Sequence, residues 1–147
     1  MQISEMNKAL NELVEKRNQL AALSYSDPKY DDLEEVLHDL EDDFLDEYGD
    51  DFEKILTDVH DKDFPESDVL SPIAYLAKKY VIKTTHTDGR IDYNIPAKDG
   101  VWVEAYALPG KNVRLVLVPN PPRLIMQIEK GESKEIWSAT KDAVSSK

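Results

Sequence analysis

The most acidic stretch of this chain carries an unbroken apolar stripe. Tyr30, Leu33, Leu37, Leu40 and Phe44 repeat with heptad spacing, and Tyr48, Phe52, Ile55 and Val59 continue the row in steps of three and four. Apolar residues so spaced fall on one side of an α-helix. Around them, between Asp27 and Asp63, stand 17 Asp and Glu against three Lys, a net of −14 in 37 residues, while the rest of the chain holds 13 acids and 15 bases. The formal charge of −12 therefore originates in one segment. An acidic tract without an apolar face stays disordered. This one has a face to bury, so an ordered helix is predicted, packed on one side and strongly negative on the other.

A helix that long needs something to pack against. Ile3, Met6, Leu10, Leu13 and Leu20 form an earlier stripe, widened by Ala9 and Val14 and interrupted by Arg17, which predicts a first helix from Ile3 to about Leu23. Ser26 or Asp27 can cap the next helix, and Pro28 is tolerated in its first turn. A connection of about five residues makes the two helices antiparallel neighbours. Gly49 costs about 1 kcal/mol inside a helix, and a break or kink is expected near 49 to 51.

Past Asp63 the period changes. Residues 64 to 79 read as a loop followed by a short helix starting at Ser71-Pro72. Strands are predicted at Tyr80 to Thr85, around Ile91, Tyr93 and Ile95, and from Val101 to Leu108, Val113 to Val118 and Leu124 to Glu129, with an edge strand at Lys134 to Trp137. The turns between them, such as Asp88-Gly89, Asp99-Gly100 and Pro109-Gly110, are too short for crossover helices, so the strands pair antiparallel. The expected fold class is α+β: a helical hairpin over residues 1–63 packed on an antiparallel meander of five to six strands over 80–137, in a single domain with a frayed tail at 138–147.

Composition excludes several functions. The absence of cysteine removes disulfides, thiolate metal sites and a Cys nucleophile, and suits a reducing cytoplasm, where the protein is expected to reside. The first ten residues lack the pattern of a secretory signal, and no apolar run is long enough to span a bilayer. The negative charge opposes both nucleic acid and anionic membranes.

Specific chemistries fail on spacing. Glu35 and His38 match a Glu-x-x-His unit, but the second unit and further helical Glu of a carboxylate-bridged metal centre are missing; His60 has Thr57 three residues before it. The acidic loop from Asp61 to Asp68 has Pro65 and Glu66 where a calcium loop wants a ligand and a glycine, and Pro72 where it wants a closing Glu. No Gly-x-Ser-x-Gly elbow, P-loop or dinucleotide fingerprint is present. The chain is therefore expected to need no cofactor or metal and not to be an enzyme.

Two binding surfaces are left. Asp39, Asp42, Asp43, Asp46 and Asp50 recur at three- and four-residue steps, with almost no Lys one turn away to relieve them, and form a face suited to a basic protein partner. The expected role is that of a protein-interaction module. The alternative is a small-molecule site on the sheet, where Trp102, Glu104 and Tyr106 would share one side of a strand. A homodimer is compatible with either.

Overall fold

The structure of the protein is a computed structural model that describes residues 3–139, apart from the side chain of Lys130. Two helices come first, α1 (Ile3–Ala21) and α2 (Tyr30–Asp63). A 3-10 turn (Pro72–Tyr75) precedes six strands, β1 (Val81–Thr85), β2 (Ile91–Asn94), β3 (Val101–Val103), β4 (Val113–Val118), β5 (Arg123–Ile128) and β6 (Glu132–Ser138), and a second (Glu129–Gly131) joins the last two. The α+β class read from the sequence is thus the class observed. The expected tail beyond residue 139 lies outside the described residues, but its first two positions, Ser138 and Ala139, are buried at the end of β6 rather than frayed.

The strands form two sheets, not one meander. β1 and β2 make a separate antiparallel hairpin, and β3-β4-β5-β6 make a four-stranded antiparallel sheet in sequence order. The cause is visible in β4. Val113, Leu115 and Leu117 pack with the helices, whereas Val116 and Val118 pack with Tyr80, Tyr93 and Ile95. A strand buried on both faces needs two covering layers. The helical hairpin covers one face, and the other is covered by Val14 of α1, by Ala77 and Tyr80 just before β1, and by Tyr93 and Ile95 in and just after β2.

α2 runs through Gly49 without a break, contrary to the sequence expectation. Tyr48 and Phe52 flank the glycine and are both buried, and Phe52 is wholly inaccessible. Burying one such side chain stabilises by about 1.5–3 kcal/mol. That exceeds the cost of about 1 kcal/mol for helical glycine, so packing on either side carries the helix through. The start of α2 also differs. Lys29 occupies the N-cap position without a side-chain bond, and Asp27 acts two residues earlier, its Oδ1 accepting the Lys29 amide at 2.8 Å.

Polar ties fix the layers. The Asn18 side chain donates to the Tyr80 carbonyl at 2.9 Å and accepts the Tyr80 amide at 2.7 Å, which pins α1 to the entry of β1. The Tyr80 hydroxyl donates to the Leu117 carbonyl at 2.7 Å and accepts from the Ala77 amide, and burial pushes its phenol well above the ordinary range. Gly100, at φ +90°, leaves no room for a side chain, because a Cβ there would lie 2.5 Å from the Leu115 carbonyl oxygen. Only glycine allows β3 to approach β4 at that point.

Candidate functional site

The predicted acidic face exists as a surface. Asp39, Asp42, Asp43, Asp46 and Asp50 are all exposed, on the side of α2 away from the buried residues Leu37, Phe44, Tyr48, Phe52, Leu56 and Val59. Helical spacing alone brings these five carboxylates together, one turn apart along the face. Among the described residues, α2 makes one ion pair, from Arg17 Nη2 on α1 to Glu41 Oε2 at 2.8 Å, and it belongs to the half-buried flank rather than to this face. The residue that interrupts the α1 stripe is therefore the one that ties the two helices electrostatically.

The face continues around the helix towards α1. Glu5 and Glu12 on α1 and Asp43 and Glu47 on α2 line a groove of about 320 Å³ whose floor includes Ala9, Leu40, Phe44 and Tyr48. Burial, followed by the Glu47 and Glu5 carboxylates, pushes the Tyr48 phenol above its ordinary value. The negative field thus reaches from the outer face into the cleft between the helices.

The alternative site is not assembled as the sequence suggested. β3 stops at Val103, so Trp102 lies on the strand while Glu104 and Tyr106 lie in the loop beyond it. Two bonds explain the stop: the Glu104 amide donates to Ser67 Oγ at 2.8 Å, in the loop that follows α2, and the Leu108 amide turns back to the Ala105 carbonyl at 3.0 Å. Trp102 is 52% exposed and sits opposite Arg114 of β4 on the sheet side facing away from the helices. Tyr106 is also exposed, beside Glu66 and Glu104. The structure brings Glu104 and Tyr106 together but does not place them on one strand face with Trp102.

Glu35 and His38 are exposed on α2, and among the described residues no group of three or more His, Asp or Glu is placed to hold a metal ion. His60 is the histidine the structure puts to use. It is buried, its Nδ1 donates to the Ser67 carbonyl at 2.9 Å, and its Nε2 lies 2.9 Å from the Tyr75 hydroxyl. Its place one turn after Leu56, on the buried side of α2, was the signal available in the sequence.

Two further polar centres had no local signal. Asn120, at φ +67°, accepts through Oδ1 from the side-chain amides of Asn7 and Asn11 and donates through Nδ2 to the Tyr93 hydroxyl at 2.7 Å. Arg123 is almost wholly buried, donating to the carbonyls of Pro119, Pro121 and Ile91 and to Asp92 Oδ1 at 3.3 Å. Asp92 also bonds His86 Nε2 at 2.8 Å. These groups saturate one another and clamp the β1-β2 hairpin to the β4-β5 turn, which is a structural task.

Comparison with family models, with curated proteins and with solved structures found no match to this chain. No helix among the described residues is long and apolar enough to cross a membrane.

Proposed function

We propose that the protein is a non-enzymatic interaction module that docks a basic protein partner through the acidic face of α2, in the cytoplasm. One observation carries the reading: Asp39, Asp42, Asp43, Asp46 and Asp50 stand exposed on a single ordered helix, with no cationic partner in the chain among the described residues. Rows of like charge one turn apart destabilise a helix by a few tenths of a kcal/mol for each pair. A cationic surface brought against them relieves that repulsion and is steered there by the long-range field. The same field disfavours nucleic acid and anionic lipid.

The small-molecule reading, centred on Trp102, has less support. It relied on a strand face shared with Tyr106, and β3 ends before Tyr106 is reached. The discriminating experiment is capture from lysate at low salt on the immobilised protein and on the variant D39N/D42N/D46N/D50N. Docking through the face predicts a basic protein held by the wild type, released as salt rises and lost by the variant. Equal capture by both proteins would overturn the reading.

A further inference from the structure

We propose that the groove between α1 and α2 seats a basic amphipathic helix of the partner, with a narrow apolar row entering the groove and Lys or Arg on both sides of that row. The proposal rests on the reading that the acidic face docks a basic partner, and adds where and in what form the contact is made.

The shape comes from Ala9. It is the smallest side chain in the α1 wall, and Glu5 and Glu12 stand one turn to either side of it, so space opens above it against Leu40 and Phe44 of α2. The apolar row of α2 runs past the cavity. Val36, Leu40, Phe44 and Tyr48 follow one another at intervals of four, and Val36 is 45% exposed in the midst of acidic residues. Val36 lies outside the groove lining and continues the apolar row on the exposed surface one turn, about 6 Å, before Leu40.

The charges select the occupant. Glu5, Glu12, Asp43 and Glu47 are exposed, stand on both walls, and make no ion pair among the described residues. Lys16, one turn beyond Glu12, marks the end of the acidic rim and lies 3.5 Å from Gln19 Oε1. A cationic row is therefore wanted on each flank of an apolar one. Backbone chemistry favours a helix over an extended peptide: both walls are helices whose own backbone groups are paired, so an extended segment would find no ladder, whereas a helix satisfies its own amides and carbonyls.

The test uses two labelled peptides of equal charge, a helical Leu/Lys amphipathic peptide and oligolysine, titrated at low salt by fluorescence anisotropy. The wild type is expected to bind the amphipathic peptide at least about tenfold more tightly, a difference of about 1.4 kcal/mol. Ala9→Phe fills the groove without changing charge and is expected to abolish that preference while leaving oligolysine binding unchanged. Should circular dichroism show that Ala9→Phe does not fold, E5Q/E12Q/D43N/E47Q takes its place and is expected to weaken the amphipathic peptide more than D39N/D42N/D46N/D50N does. A preference untouched by Ala9→Phe, or no preference at all with binding still lost on neutralising the outer face, overturns the groove but not acidic docking. Failure of both peptides to bind overturns both.

Discussion

The Tyr75 hydroxyl lies 2.9 Å from His60 Nε2, and both side chains are inaccessible to solvent. The surrounding bonds fix the direction of the proton. His60 Nδ1 faces the Ser67 carbonyl, which can only accept, so the ring carries its hydrogen there and presents Nε2 as an acceptor. Tyr75 donates to it, and the phenol oxygen in turn accepts the Leu70 amide at 3.1 Å. One hydroxyl thus joins the end of α2 to the loop that leads into the sheet.

Tyr75→Phe removes that hydroxyl while keeping the ring. It leaves His60 Nε2 and the Leu70 amide without their partner, and an unsatisfied buried group costs about 1–3 kcal/mol. Urea unfolding should show a loss of about that size with an unchanged m-value.

Gly49 and Gly100 should respond in opposite directions. A Cβ on Gly49 would meet Leu45 at an ordinary 3.6 Å, so Gly49→Ala removes the helix penalty and should stabilise by about 1 kcal/mol. At Gly100 the positive φ and the 2.5 Å approach to the Leu115 carbonyl oxygen make Gly100→Ala destabilising by about 2–4 kcal/mol. Thermal melts of the two variants test both signs.

Much of this architecture was legible in the chain, and the parts that were not share a cause. The stripes from Ile3 and from Tyr30 located both helices because amphipathic period is a local property. Gly49 was misread because its local penalty was outweighed by Phe52, whose burial depends on Trp137 of β6 packing edge-on against its ring at 5.9 Å. The end of β3 was missed for the same reason: the Glu104 amide is taken by Ser67, 37 residues earlier. Asn120 and Arg123 carried no local signal because Asn7 and Ile91, their partners, are distant in sequence. Within the candidate site, the outer acidic face followed from helical spacing alone. Its continuation into the groove did not, since that required knowing which side of α1 meets α2.

Asn120 combines a left-handed backbone with bonds to α1 and β2. Asn120→Ala loses the bonds and keeps the strain, and is expected to cost about 2–4 kcal/mol. Asn120→Gly loses the bonds but relieves the backbone, and should cost about 1 kcal/mol less. Denaturant midpoints of the pair separate the two contributions.

Asp92 gives the fold an acid dependence. The His86 hydrogen bond, aided by Arg123 and Arg90 and opposed by partial burial, holds its carboxyl below the ordinary value. A carboxyl depressed in the folded state contributes stability that is present above its unfolded pKa of about 3.9 and is lost as pH falls through the folded value. Wild type should therefore exceed Asp92→Asn in stability at neutral pH, with the gap closing as pH falls through and below the ordinary carboxyl range. A gap that is constant with pH would show that the charge is not the source.

On the proposed reading, position, and not net charge alone, makes the α2 face a docking surface. The most direct test is the affinity of a labelled basic amphipathic peptide, measured over a salt series, for the wild type and two variants of equal net charge. One is D39N/D42N/D46N/D50N, and the other neutralises the exposed acids Glu66, Asp68, Glu104 and Glu132 outside α2. Docking through α2 predicts a loss of about tenfold or more and a shallower salt dependence for the α2 variant, with little change for the other. Equal losses in the two variants would contradict it.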